Sequence, residues 1–414
     1  MRSGALAELA RACGGNGARR AAEPGDCVDG VPPRFVATPS STEEVAAAMR
    51  VARAHHLTVV VRGRGTKLDW GNPPESLDLV LDLSKMDQLL EHAPGDLVVR
   101  VEAGMPLARL QDALGRARQW LPVDEVVSNS TVGGVLASGT CGPTRMLNGS
   151  FADLLTAVTF VRADGIVARS GSKVVKNVAG YNLTRLLTGS FGTLGVVTDL
   201  TVRLRPLPER RSFVVASFED GAALAGPLAA LRRAQLALSA LEIDRPVSTA
   251  PIQLAAQIDG RDAGVTVRAE QAAEYMGAAV TANDPPPGWG SLPGPTTCKV
   301  SAPVASVPEL VDVVAELSDA HDCPVAVRGS AGVGVVFLGL SELLEAGATA
   351  RFVTALRDWV GRAGGSAVVL RAPAPVKAAL DVWGPVRGLE LMRRIKAQFD
   401  PDRRLAPGRF VGRI

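Results

Sequence analysis

The sequence predicts an α+β protein in two parts: a larger N-terminal portion and a smaller α/β domain that begins near residue 208. Three observations carry this. Short apolar strands alternate with two amphipathic helices over roughly the first 120 residues. A hairpin and a cleanly alternating strand then close the first part, between residues 155 and 205. Beyond Pro206 and Pro208, amphipathic helices are each followed by a Val-rich strand, the pattern of a layered strand-and-helix domain.

Each element has a local cause. Ser41-Thr42-Glu43-Glu44 fits a capping box, with Ser41 as N-cap and Glu44 three residues inside. Val45, Ala48, Met49 and Ala52 follow at helical spacing. Leu57 to Val61, Leu79 to Leu83 and Leu97 to Val101 read as strands. Pro106 opens a helix to about Arg118, with Leu107, Leu110 and Leu114 on one face. Leu155 to Arg162 and Ile166 to Arg169 form a hairpin around Ala163-Asp164-Gly165, and Val196 to Arg205 alternates as a strand. The second part has a strand from Phe213 to Ser217, an Ala/Leu helix to about 240, and a Pro/Gly loop from Asn283 to Pro295. Helices at 307–319 and 346–363 precede strands at 323–328 and 366–371. A last helix, 386–399, puts Leu389, Met392, Ile395 and Phe399 on one side, and a loop tail follows.

Composition narrows the function classes. The 414 residues are 47% hydrophobic, enough for two or three cored domains. Lys plus Arg number 45 and Asp plus Glu 42, so the net charge of +3 asks for neither nucleic acid nor an anionic membrane. The apolar run Ala331 to Leu340 suits a buried strand and falls short of the ~20 residues that cross a bilayer. Glu8 and Arg11 interrupt the apolar N-terminal stretch, which makes a poor signal peptide. The five cysteines contain no C-x-x-C pair and the four histidines no H-x-H or H-E-x-x-H, so this chain alone is expected to hold no zinc and no iron–sulfur cluster. Scattered thiols in odd number point to a reducing, cytoplasmic setting.

Three stretches carry chemistry. Val61-Arg62-Gly63-Arg64-Gly65-Thr66-Lys67 follows a strand directly. Adjacent glycines let backbone approach a ligand, and a run of bare N–H groups makes an anion nest; a plain strand-end turn with solvated basic residues reads equally well. Leu68 stands where a dinucleotide fingerprint would have its third glycine. Ser130 to Pro143 packs glycines and small hydroxyls among Val, Leu and Ala, as a flat ligand lying on backbone requires. Lys176-Asn177-Val178-Ala179-Gly180-Tyr181-Asn182-Leu183 leads to Gly189-Ser190-Phe191-Gly192-Thr193-Leu194-Gly195-Val196-Val197-Thr198, a helix end and a glycine loop that feed a strand.

In this order the motifs closely resemble the FAD-linked oxidases of the p-cresol methylhydroxylase/vanillyl-alcohol oxidase type, most of all the second flavin subunit of bacterial glycolate oxidase. The resemblance is strong over about residues 36 to 208. It returns weakly at Trp383-Gly384-Pro385 and clearly from Phe399-Asp400-Pro401 to Pro407-Gly408-Arg409. It implies a two-subdomain FAD-binding domain over 1–208 with its core from about 36, a cap over the substrate face at 209–385, and a C-terminal helix and tail, 386–414, that return to the flavin domain. Arg62, Gly63, Arg64, Gly65, Thr66 and Lys67 would wrap the FAD pyrophosphate. Pro122, Asp124, Ser130, Thr131, Gly133, Gly134, Ser138, Gly139 and Gly142 would line the flavin and ribityl chain, and Val197 would meet the nucleotide through its backbone. The implied activity is oxidation of a small 2-hydroxy acid. Electrons would leave to a separate iron–sulfur subunit, beside a sister flavin subunit. The protein would be cytoplasmic, or held at the membrane only through such a complex.

The departures matter as much. Arg64 and Thr66 stand where covalent members often carry histidine, so FAD is expected to be non-covalent. Cys141 replaces a serine, and Ala406 replaces the asparagine of an N-P-G triplet. The cap lacks the histidine pair that related enzymes use with an acid to hold a metal; His321 stands alone and Gly364-Gly365-Ser366 lacks the expected histidine. Arg328 and Arg371, each at a strand end, are candidates for gripping a carboxylate, and also ordinary surface residues. Tyr181 and Lys176 are the titratable candidates for the catalytic base by motif position. Two other readings stay open: an FAD-binding relay or support subunit without its own substrate, and a nicotinamide-linked reductase on the same fold.

Overall fold

The short strands of the first part are buried on both sides, which suits the parallel pairing they adopt. In the computed structural model, which describes residues 4–20, 23–172, 183–277 and 280–414, Val59–Arg62 and Phe35–Ala37 flank Leu79–Asp82 in parallel, and Ala18–Arg20 adds an antiparallel edge. A second sheet of five antiparallel strands runs in the order Leu89–Ala93, Val98–Glu102, Val196–Arg203, Leu155–Val161, Val167–Gly171. Helix Thr42–Ala54 buries Val45, Ala48, Met49 and Ala52 in a core shared with both sheets. Ser41 Oγ accepts from the Glu44 amide at 3.2 Å, the first half of the expected box. The Glu44 carboxylate reaches one residue further out, to Ser40 N at 2.7 Å and Ser40 Oγ at 3.0 Å.

These elements form one compact unit with Val386–Ile414, up to Thr140 and again over Ser150–Leu207. The helix Leu389–Phe399 leaves Leu389, Met392, Ile395 and Phe399 only half-buried, and its one fully buried residue is Lys396. Its amphipathic stripe therefore marks a lid on the unit's core, with a charged residue at the deepest point. The tail then enters the first sheet: Leu405 bridges Val59 in parallel, Val59 N donates to Arg404 O at 2.8 Å, and Ala406 N donates to Val59 O at 2.8 Å.

The second unit, Cys141–Gly149 with Pro208–Pro385, is built on one antiparallel sheet of eight strands. Their order is Val280–Ala282, Arg210–Phe218, Ile252–Gly260, Ala240–Arg245, Val325–Ser330, Val335–Leu340, Thr296–Ser301, Ser366–Arg371. Helices Asp262–Met276, Gly221–Arg233, Val307–Ala320 and Ala346–Arg362 lie side by side against it. The apolar run from Ala331 begins with a turn, and the strand itself starts at Val335. The four residues before it turn the chain between two antiparallel neighbours, a hairpin that the unbroken hydrophobicity hides.

Candidate active site

Everything at the candidate site described here belongs to the first unit. Strand Val59–Arg62 ends level with its parallel partner Leu79–Asp82, Arg62 opposite Asp82, and the chain leaves the sheet at Gly63. The Arg62 side chain turns away and is tied to Asp82 (2.6 and 3.1 Å) and to Gly25 O (2.8 Å). Arg64 points to solvent. Gly65 has φ +75°, which bends the loop back. Among the described residues, the amides of Gly63, Arg64, Gly65, Thr66 and Lys67 donate to no protein acceptor. Five consecutive free N–H groups at a strand end form a concavity suited to a di-anion.

The next wall is the seven-residue helix Val132–Ser138. Thr131 caps it, accepting from Gly134 N at 3.1 Å, and Gly139 ends it with φ +63°. Thr131 also lies against Gly63, where an added Cβ would sit 2.4 Å from its Oγ1. Gly133 packs on Ala103, and a Cβ there would be 2.8 Å from the Ala103 carbonyl. The glycines are thus required by contact between the walls.

The remaining walls come from the loop at 189–195 and from the tail. Phe191 has φ +54° and stacks on Phe410 with ring centroids 5.5 Å apart. Val197 sits beside a bulge in its strand, between Val197 and Asp199. Arg409 is buried and donates to Leu68 O at 2.6 Å and Trp70 O at 2.8 Å. Burial pushes its guanidinium down to about 10, against the pull of Asp29 and Asp69. Lys396 Nζ donates to Thr193 O (2.8 Å), Leu405 O (2.9 Å) and Asp400 Oδ2 (2.6 Å), pinning the glycine loop to the tail.

Together these stretches enclose about 860 Å³, part of it open to solvent. Of the residues singled out by the sequence, Arg62, Gly63, Arg64, Gly65, Thr66, Lys67, Thr131, Gly133, Gly134, Ser138 and Val197 line the cleft. Ser130 stands one contact behind it, accepting from Lys67 Nζ at 2.6 Å. Burial lowers the Lys67 ammonium to about 8, with Glu125 pulling the other way. Pro122, Asp124 and Gly139 do not line the cleft, and Gly142 belongs to the other unit. Lys176 and Tyr181 lie outside the described residues. Phe191 and Arg409 were unassigned by sequence although both sit inside quoted motifs; their signal was position next to glycine.

A flat ligand with a diphosphate fits these walls: glycine backbone on its faces, free amides for the anion, and apolar side chains from Leu68, Leu136 and Phe191. Residues 33–171 match the family model described as an FAD binding domain, and residues 379–410 match the C-terminal domain of FAD linked oxidases. The chain thus carries an FAD binding domain and the C-terminal domain of FAD linked oxidases. It is an FAD-dependent oxidoreductase. It is 27% identical to glycolate oxidase subunit GlcD of Bacillus subtilis over 92% of this chain and 89% of that one. It is 34% identical to glycolate oxidase subunit GlcE of Escherichia coli, over 36% of this chain and 43% of that relative. The fold of the chain is that of p-cresol methylhydroxylase, with a TM-score of 0.77, 17% identity, and coverage of 98% of this chain and 96% of that one.

In the second unit, the two arginines considered as carboxylate clamps are already engaged. Arg328 Nε donates to Asp244 at 2.6 Å and its Nη1 to Ser291 Oγ at 2.8 Å. Arg371 Nε donates to Pro295 O at 2.7 Å. His321 is the C-cap of helix Val307–Ala320. Among the described residues, no helix is long and apolar enough to cross a membrane.

Proposed function

We propose that this FAD-dependent oxidoreductase oxidises a small 2-hydroxy acid and passes the electrons to a partner chain, as one subunit of a glycolate oxidase-like complex. The observation that carries the reading is the glycine-walled cleft with five consecutive free amides. The similarity to glycolate oxidase subunits supports the substrate class. FAD, when bound, supplies the two-electron acceptor for the substrate's hydride.

The protein's part is to bind, orient and exclude water. The amides of Gly63 to Lys67, with the Lys67 ammonium, hold the diphosphate. Gly133, Gly134, Ser138 and Val197 present backbone to the ring system and its chain. Thr131 and Arg409 fix the walls at their distance. Pro122, Asp124, Ser130, Gly139 and Gly142 complete the proposed set by their place in the motifs. Attachment is proposed to be non-covalent because Arg64 and Thr66 stand where covalent members often carry histidine. Lys176 and Tyr181 are the proposed proton acceptors, by their place in K-N-V-A-G-Y. The proposed partners are an iron–sulfur subunit and a sister flavin subunit, in the cytoplasm or at the membrane surface through that complex.

A second reading, an FAD-binding relay subunit without substrate chemistry, is favoured by the engagement of Arg328 and Arg371 within their own unit. The test is a visible spectrum of the FAD-reconstituted chain before and after anaerobic glycolate or D-lactate. Bleaching of the flavin band is the expected result. A band that stays oxidised with both acids, in a chain that has bound FAD, replaces the first reading by the second.

A further inference from the structure

In the first unit, the helix Leu389–Phe399 and the tail enclose a groove of about 750 Å³, part of it open to solvent. Its charged lining is four cations, Arg393, Lys396, Arg403 and Arg413, against two acids, Glu75 and Asp400. The acids are taken up by the fold. Asp400 holds Lys396 at 2.6 Å, and Glu75 holds Arg403 at 3.1 Å. Two arginines are left over. Glu390 stands 4.0 Å from Arg393, the outer limit of an ion pair, and the Arg393 side chain is 54% exposed. Arg413 is exposed and, among the described residues, its guanidinium makes no ion pair. Uncompensated guanidinium groups on one groove leave a positive local field that draws an acidic surface.

The groove is joined to the cofactor cleft by contacts within the same unit. Arg413 N donates to Phe410 O at 3.1 Å, and Arg403 Nη2 donates to Arg413 O at 2.7 Å, so the last turn is fixed to the groove's edge. Phe410 is half-exposed and stacks on Phe191, with ring centroids 5.5 Å apart and 25° between the planes. Phe191 lines the cleft. It does so at φ +54°, where a bulky side chain is rarely found, with its amide donating to Ala137 O at 2.8 Å. Backbone strain of this kind gathers where a side chain is needed in place. Two rings in contact thus lead from the cleft wall to the surface, and the surface they reach is the cationic one.

We propose that this groove docks the acidic face of a one-electron acceptor protein, with Phe191 and Phe410 bridging the cleft to it. This rests on the reading of the chain as an electron donor to a partner, and it gives that partner's chemistry and place. Two electrons leave per reduced cofactor, one to each of two acceptors, and the cofactor's protons pass to water. Redox encounters of this type use small interfaces, under about 1,200 Å², so a few charges suffice to orient them.

The test photoreduces the FAD-loaded full chain, so that no substrate is needed, and mixes it in a stopped flow with plastocyanin, an acidic one-electron acceptor, or with cytochrome c, a basic one. At low salt the rate with plastocyanin is expected to be the faster, and to fall as salt rises. Arg393→Glu and Arg413→Glu each lower it about tenfold, flatten its salt dependence and raise the rate with cytochrome c. FAD content and visible spectrum stay as in wild type. Phe410→Leu slows transfer and leaves the salt dependence in place. Redox-inert zinc plastocyanin, titrated by NMR against the oxidised chain, loses affinity in the same arginine variants. Should a reversed charge impair folding, Arg393→Gln and Arg413→Gln carry the comparison. Rates with plastocyanin that are equal in wild type and both arginine variants overturn the surface, and a rate unaffected by Phe410→Leu overturns the bridge. Arginine-dependent transfer to plastocyanin, in a chain that no hydroxy acid bleaches, keeps the surface and removes the substrate reading. Bleaching by a hydroxy acid, with reoxidation indifferent to the arginines, does the reverse. Arginine-dependent binding to vesicles of anionic phospholipid, with plastocyanin unaffected, assigns the groove to a membrane and overturns the protein partner.

Discussion

The two units handle polar groups in opposite ways. In the flavin unit, the buried cations are consumed by the fold: Lys396 holds Asp400 and two carbonyls, Arg409 holds the loop at 68–72, and Arg62 holds Asp82. Its ligand surface is left mainly to backbone, at Gly63 to Lys67 and at the glycines of 133–134 and 192–195, with the Lys67 side chain beside it. In the second unit the backbone is used up in an eight-stranded ladder, and polar contacts fall to side chains such as Arg328 and Asp244. A site made of backbone must be carved with glycine and leaves a dense sequence pattern. Contacts made by side chains on a sheet leave no such pattern.

The sharpest way to break this comparison is to remove a buried charge from each unit. Lys396→Met leaves Asp400, which is fully buried, without its partner, and is expected to cost about 3–5 kcal/mol in thermal or urea unfolding. Arg328→Ala in the second unit opens a pair that is partly solvated on both sides, and should cost no more than about 1 kcal/mol. Equal losses would show that the two units do not differ in this respect.

The glycine walls give the next effect. Gly133→Ala places a methyl 2.7 Å from Ala103 Cβ and 2.8 Å from a carbonyl that cannot move freely. It should destabilise by about 1–3 kcal/mol and lower the FAD content of purified protein. Full FAD occupancy in that variant would mean the helix Val132–Ser138 does not fix the cleft.

The smallest effect is a matter of pH. Lys67 holds its proton up to about 8 in the folded chain and to about 10.5, its ordinary value, in the unfolded one. The unfolded state therefore binds more protons between those values, so the apoprotein gains stability as pH rises across that window. FAD affinity moves the other way, because the diphosphate favours the charged ammonium. Fluorescence titration should show affinity falling several-fold from pH 7 to pH 9, and Lys67→Met should flatten the curve. A wild-type affinity independent of pH would remove Lys67 from the anion site.

Legibility followed the same division. The strands around 59–62 and 79–82, the helix from Thr42, and the cleft residues from Arg62 to Lys67 were readable because glycine, caps and periodicity are local signals. The role of Lys396 was not, because a lysine on a helix reads as solvated unless one knows that Thr193 and Leu405 close over it. Arg62 has a partner that its motif does not reveal: it lines the cleft, and Asp82, opposite it in the strand register, takes its guanidinium.

The seam between Leu405 and Val59 has a consequence for how the protein is made. Arg409 grips Leu68 across 341 positions of chain, and the whole second unit is translated between them. At about 5–20 residues per second, the half-built flavin unit waits on the order of 20 to 70 s on the ribosome with one wall missing. During that time Val59 has an open neighbour and the loop at 68–72 no anchor. A cleft with all its walls therefore exists only once the tail is released, and until then the strand at Val59 is an unpaired sheet edge.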